Sequence, residues 1–237
     1  MGCPYFRFKQ FEVYHDRCAM KVGTDGVVLG AWVARQFAAE RPQHILDIGT
    51  GSGLIALMLA QQFPTACITG IDIDEDAINQ ASDNFARSRW SDRLEALQCN
   101  FQEYQAATRH DIIVCNPPFF RNSLKNPDES RAIARHNDSM PYHSLINRSL
   151  NNLLTESGHL CIIIPCSEEH NVVAAANSAF LTHLCCIRTN PDKDFKRSIM
   201  VFGRKAAADT IISELTLETP THQRSIEYQA LTANYYL

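Results

Sequence analysis

The sequence predicts an α/β fold built on a parallel sheet, and three observations predict it. Short apolar runs that read as buried strands alternate with segments of helical apolar spacing. A glycine-rich turn, Gly49-Thr50-Gly51-Ser52-Gly53, joins one such strand to a helix. A second strand, Ile112-Ile113-Val114, runs into Cys115-Asn116-Pro117-Pro118-Phe119-Phe120. Two prolines cannot continue a hydrogen-bonded ladder, so the strand stops there in a stiff turn. In open sheets of this class, ligands sit outside the carboxyl ends of the strands.

At 237 residues the chain fits one domain over 1–237, with an arm or hairpin at 1–25, a core at 26–205 and an extension at 206–237. The net charge of −4 counts against indiscriminate nucleic-acid binding but leaves a local basic patch open. Nine cysteines are scattered without metal-ligand spacing, and Cys185-Cys186 is a vicinal pair. They read as reduced, mostly buried thiols, and no metal site is expected. No run approaches the ~18 apolar residues of a membrane span. The first residues form no basic-then-apolar leader, so a cytoplasmic location is expected.

In order, the aromatic and charged residues from Met1 to Asp16 suggest a short hairpin. A helix follows from Val27 to Phe37, with Thr24 or Asp25 as its cap. That start, with Lys21, is placed to close over a ligand. Ile45-Leu46-Asp47 is the first core strand, and the glycine turn leads into a helix from Leu54 to Gln61. Gly49, Gly51 and Gly53 allow positive φ and close backbone approach, and a helix N-terminus offers N–H groups. Asp47, just before the turn, disfavours a pyrophosphate and favours a ligand that carries an ammonium group. Ala66 to Asp74 is the next strand. Asp72 lies about twenty residues past the turn, where an acid binds the ribose hydroxyls of an adenosine cofactor. Asp74, Glu75 and Asp76 read as the acidic first turn of the helix Ala77 to Arg89.

Leu94 to Cys99 is a short strand, followed by Asn100 and Phe101. Asn100 can bond an adenine amine while Phe101 or Ile73 covers the ring. Asn116 then follows the strand from Asp111 to Cys115. An exocyclic amine is a poor nucleophile because its lone pair is delocalised. Acceptors aimed at its N–H bonds, here Asn116 Oδ1 and the Pro117 carbonyl, favour the nucleophilic form, and Phe119 can stack on the base. The segment from Arg121 to His143 lacks an apolar period, and Arg121, Lys125, Arg131 and Arg135 are candidates to grip an RNA backbone. Leu145 to Leu154 reads as a helix ended by Ser157-Gly158, His159 to Pro165 as a buried strand, and Glu168 to Phe180 as a helix. Leu184 to Arg188 and Ser198 to Gly203 read as an antiparallel pair, with Lys196 and Arg197 between them as further RNA candidates. Thr210 to Thr216 suits an extra strand, and the aromatic tail from Glu227 suits a docked helix.

Asp47 to Gly53, Asp72 and Asn116-Pro117-Pro118-Phe119, in this strand–helix order, resemble the S-adenosylmethionine-dependent amino methyltransferases. Phe8 to Phe11, His15 to Gly26 and Tyr228 to Thr232 resemble, within them, the bacterial tRNA(Val) adenine-37 N6-methyltransferase family. The resemblance implies a Rossmann-like seven-stranded methyltransferase sheet, mostly parallel with one antiparallel strand and helices on both faces. It also implies S-adenosylmethionine as cofactor, tRNA as substrate and N6-methylation of adenosine 37. Asn100 departs from the acid often found there in the family. Protein-glutamine or rRNA guanine methylation on the same fold, a non-catalytic binder of cofactor or RNA, and a nicotinamide dehydrogenase are the alternatives.

Overall fold

Alternate residues of the central strands pack on opposite faces, as the two-residue period of a strand requires. In the strand His110–Cys115, Ile112 and Val114 join one buried cluster, while Ile113 and Cys115 join the other. The computed structural model describes residues 3–18, 20–117, 140–177, 179–206 and 208–237.

The strands are β1 (Tyr5–Arg7), β2 (Glu12–Tyr14), β3 (His44–Ile48), β4 (Cys67–Asp72), β5 (Leu94–Gln98), β6 (His110–Cys115), β7 (Leu154–Pro165), β8 (Phe180–Arg188), β9 (Arg197–Gly203) and β10 (Ile211–Thr216). The helices are α1 (Thr24–Gln36), α2 (Leu54–Gln62), α3 (Glu75–Arg87), α4 (Tyr142–Arg148), α5 (Glu169–Ala175) and α6 (Ile226–Thr232). β1 and β2 form an antiparallel hairpin. The other eight form one sheet in the order β10-β8-β9-β7-β6-β3-β4-β5.

The expected seven strands are therefore eight among the described residues. β10 pairs in parallel with β8 and extends the sheet, its Leu215 buried in the core. β9 opposes both β7 and β8, so there are two antiparallel pairings beside five parallel ones.

One face is covered by α1, α2 and α3, with α6 and the hairpin packed onto the same cluster. Leu54 to Ala60 are all buried, so α2 is apolar all round rather than amphipathic. The other face is covered by α4 and α5 through Leu145, Ile146 and Val172. The last residues clasp the hairpin: Lys9 N donates to Tyr235 O (2.8 Å), and Phe8 stacks on Tyr236 at 5.9 Å.

Three boundaries differ from expectation. α1 starts at Thr24 with Gly23 as its cap and no side-chain cap bond, so neither Thr24 nor Asp25 serves as the cap. α4 ends at Arg148 and one π turn, Ser149–Leu153, leads straight into β7. Ser157-Gly158 is thus no helix stop; it lies in a bulge where the β6–β7 register shifts between His110 and Ile112. α5 ends at Ala175, because Phe180 pairs with Gly203 on β9 and belongs to a strand. The expectation of mostly buried thiols also fails. Cys115, Cys161 and Cys185 are buried, whereas Cys3 and Cys67 are exposed, Cys67 being the first residue of β4 at the sheet margin.

Candidate active site

The order of β4, β3 and β6 brings three strand ends side by side. β3 ends in the glycine turn. Gly49 N and Thr50 N both donate to Ile71 O of β4, at 2.9 and 3.0 Å, and pin the turn to its neighbour. Gly49 (φ +69°) and Gly51 (φ +54°) lie in the left-handed region, and a Cβ at either would meet open space. The backbone therefore takes a shape that L side chains disfavour and leaves room for a ligand against it.

A cavity of about 650 Å³ opens over these ends. Lys21, Thr24, Gly49, Gly51, Asp72 and Ile73 line it, as do Asn100, Phe101, Asn116 and Pro117. Asp72 Oδ2 accepts from Gly51 N (3.0 Å) and Oδ1 accepts from Asp74 N (3.1 Å). Each oxygen keeps a lone pair for a further donor, in the fixed orientation that a ribose diol needs. Ile73 is 43% exposed beside it, an apolar platform for a planar ring. Asn116 Oδ1 is shielded from solvent and has no hydrogen-bond partner among the described residues. An unpaired buried acceptor costs about 1–3 kcal/mol, which a donor arriving in the cavity would offset.

Two expected ligands are placed differently, and a third, Asn100, keeps its place on the cavity wall while also closing a turn. Asp47 is fully buried beneath the turn and outside the cavity wall. Its Oδ2 accepts from Thr50 Oγ1 (2.8 Å) and Ala56 N (3.2 Å), so it holds the turn from below. Gly53 also lies off the wall. At φ +79° a Cβ there would sit 2.4 Å from Phe85 Cε1, so this glycine serves the approach of α3. Asn100 lines the cavity, but its Oδ1 accepts from Gln102 N (2.9 Å) and closes a local turn.

Burial pushes the Asp47 carboxyl up to about 7 from an ordinary 3.8, against the bonds from Thr50 and Ala56. A carboxyl that holds its proton more tightly when folded favours the fold at low pH. Its contribution falls as pH rises from about 4 to about 7 and is flat above that, by at most ~1.4 kcal/mol per pH unit. Thermal midpoints of wild type and Asp47→Asn should therefore diverge across that window, wild type losing ground, and run parallel above pH 7. Parallel behaviour throughout would mean that Asp47 titrates normally.

One positioning residue escapes a reading of the sequence. Asn84 of α3 is buried, donates from Nδ2 to Tyr14 O and Ser52 O (both 2.8 Å) and accepts from Tyr14 N (3.0 Å). It ties the hairpin to the glycine turn. Its signal is a polar side chain on the buried stripe of α3 formed by Ala77, Ala81 and Phe85.

Of the RNA candidates, Lys196 is exposed, and Arg197 Nε donates to Asp25 Oδ2 at 2.7 Å. Phe119, Arg121, Lys125, Arg131 and Arg135 lie outside the described residues. Among the described residues no group of three His, Cys, Asp or Glu is placed to hold a metal ion. No described helix is long and apolar enough to cross a membrane.

Comparison with known proteins agrees with this geometry. The family model described as "Methyltransferase small domain" matches residues 30–166. The tRNA1(Val) (adenine(37)-N6)-methyltransferase of Bacteroides thetaiotaomicron is 46% identical over 240 residues, covering 100% of this chain and 99% of the relative. The enzyme of the same name from Christiangramia forsetii is 41% identical, covering 98% and 97%. Among solved structures, a predicted O-methyltransferase of Agrobacterium tumefaciens superposes with a TM-score of 0.63 at 18% identity, covering 89% of this chain and 96% of that one. A type I restriction-modification methyltransferase subunit of Streptococcus thermophilus gives 0.58 at 14%, covering 84% and 48%. At such identities the structures support the fold alone.

Proposed function

Because the chain belongs to the tRNA1(Val) (adenine(37)-N6)-methyltransferases, we propose that the cavity over β4, β3 and β6 is where that reaction takes place. The protein is an S-adenosylmethionine-dependent enzyme that methylates N6 of adenosine 37 in tRNA(Val). The observation that carries the site assignment is that Asp72 and Asn116 share one cavity, with an acceptor on Asn116 left unpaired.

The residues present fit the cofactor. Asp72 suits the ribose hydroxyls, Ile73 the adenine face, and the open backbone at Gly49 and Gly51 the amino-acid portion, with Lys21 and Thr24 at the rim. When bound, S-adenosylmethionine supplies an electrophilic methyl group on a sulfonium. Asn116 Oδ1 and the Pro117 carbonyl accept from the N–H bonds of the target adenine, and so stabilise the positive charge that grows on N6. The amine proton becomes acidic once that charge has formed and can pass to water, so no strong base is required of the chain. Holding amine and donor in line accounts for much of the acceleration. Phe119 would stack on the extruded base, whose unstacking costs a few kcal/mol. Arg121, Lys125, Arg131, Arg135, Lys196 and Arg197 are the proposed RNA contacts. In this reading 1–237 is one methyltransferase domain working in the cytoplasm, where its tRNA is.

Tritiated methyl transfer into total tRNA from a strain lacking the gene, followed by nucleoside analysis, tests the assignment. Label in N6-methyladenosine is expected. Label in another nucleoside, or none, would overturn it.

A further inference from the structure

We infer that a second cleft on the same edge of the sheet seats the phosphate backbone of the tRNA beside the target base, an inference that rests on the proposed function above. The cleft has a volume of about 530 Å³. It lies between the start of α1, the end of β8, the start of β9, and the C-terminal tail. Thr24 and Asp25 line both this cleft and the cofactor cavity, so the two are neighbours across one helix end.

Sheet direction explains its position. β9 runs opposite to the other strands of its sheet, so its first residue, Arg197, pairs with Pro165 at the end of β7 and Ile187 near the end of β8. That is the edge at which Cys115 precedes Asn116. One strand, β7, separates β9 from β6, and strand spacing puts the cleft on the order of 10 Å from the end of β6. A few nucleotides of single strand span that distance.

The lining is what a single strand of RNA needs. Arg188, Lys196, Arg197 and Arg224 face two acids, Asp25 and Glu218. Asp25 is engaged by Arg197, and Glu218 lies 3.1 Å from His222 Nδ1. Arg188 is held by Thr216 Oγ1 (3.0 Å) and more loosely by Glu214 (3.3 Å). Lys196 and Arg224 have no ion pair among the described residues. The Arg224 guanidinium lies 4.1 Å from the centre of the Tyr236 ring, and Tyr236 Oη is 3.1 Å from Tyr228 Oη. The guanidinium is thus oriented before any ligand arrives, which suits a phosphodiester. The floor is apolar, formed by Val28, Ile163, Ile187 and Leu217, and Tyr236 is already stacked on Phe8, so what the cleft offers a strand is its cationic rim. A merely solvated charge needs neither a cleft nor a stacked ring.

The test uses the full chain with Lys196→Glu and Arg224→Glu combined, against a control with Arg35→Glu and Arg89→Glu, which carries the same change in net charge at exposed sites elsewhere. The cleft variant should raise the KM for tRNA at least tenfold, with kcat and affinity for S-adenosylhomocysteine within about twofold of wild type. The slope of log KM against log salt should fall by about 1.4, at ~0.7 per lost single-strand phosphate contact. Lys196→Arg should keep the wild-type KM. Kinetics matching the control would overturn the inference, as would a parallel loss of cofactor affinity, the mark of a folding defect. Free adenosine monophosphate competing as tightly as tRNA would assign the cleft to a nucleotide and also overturn it. A wild type silent on tRNA removes the proposed function itself, whereas an active wild type with an unaffected variant removes only the cleft.

Discussion

Asn116→Ala should lower kcat for methyl transfer to tRNA by about 10²–10³-fold while S-adenosylhomocysteine binds within a few-fold of wild type. Removing one preorganised group aimed at developing charge costs about 3–4 kcal/mol in the transition state. The alanine methyl cannot accept a hydrogen bond, and the neighbouring Pro117 carbonyl alone leaves one N–H of the amine unpaired. Binding of the cofactor product should survive, because Asp72, Ile73 and the glycine turn are untouched. Single-turnover transfer of labelled methyl, with calorimetry in parallel, separates the two effects. A loss below tenfold would mean that the side-chain oxygen is not an acceptor for the amine, and that its unpaired state in the cavity has another origin.

Asp72→Ala should weaken S-adenosylhomocysteine at least 100-fold, with a smaller effect on the rate at saturating cofactor. Hydrogen bonds to a charged group contribute about 1.5–3 kcal/mol each, and a ribose offers two hydroxyls. The same carboxylate also receives Gly51 N and Asp74 N, so its loss removes one tie of the glycine turn to β4, while the bonds from Gly49 N and Thr50 N to Ile71 O remain. Asp72→Asn keeps one acceptor oxygen and should lose about tenfold. If alanine and asparagine weaken binding equally, the turn rather than the hydroxyls is what Asp72 serves. Calorimetric titration of the three proteins at one ionic strength decides between these outcomes.

The strand ends were legible because each is marked by chemistry that a strand cannot continue through. Glycines at positive φ follow β3, and two prolines follow β6. Asp72 was legible because its distance from the turn fixes its place at the next strand end. What escaped the sequence is tertiary. Asp47 stands in a run buried on both faces, and nothing local says whether its carboxylate faces a ligand or the underside of a turn. Asn100 has the same ambiguity, since an amide after a strand can bind a ligand or close a turn. Gly53 reads as part of a ligand loop, yet its missing Cβ is filled by Phe85, more than thirty residues on. Arg188 and Arg224 lie on separate elements and meet only because β10 and the tail fold beside β8. The boundary between α5 and β8 moved because pairing of Phe180 with Gly203 overrides local helix preference.

The reversed direction of β9 has a consequence for how this enzyme can change. Crossovers between parallel strands must travel from one edge of the sheet to the other, so altering their length disturbs helices packed on the core. The connection between Arg188 and Arg197 leaves and re-enters at the same edge. It can lengthen or shorten with little penalty, since doubling a loop costs only ~0.6 kcal/mol. An engineer seeking a new RNA target has in the exposed residues 191–194 a stretch to diversify without repacking the scaffold, while the buried Asn190, which donates to Thr219 O, is best kept.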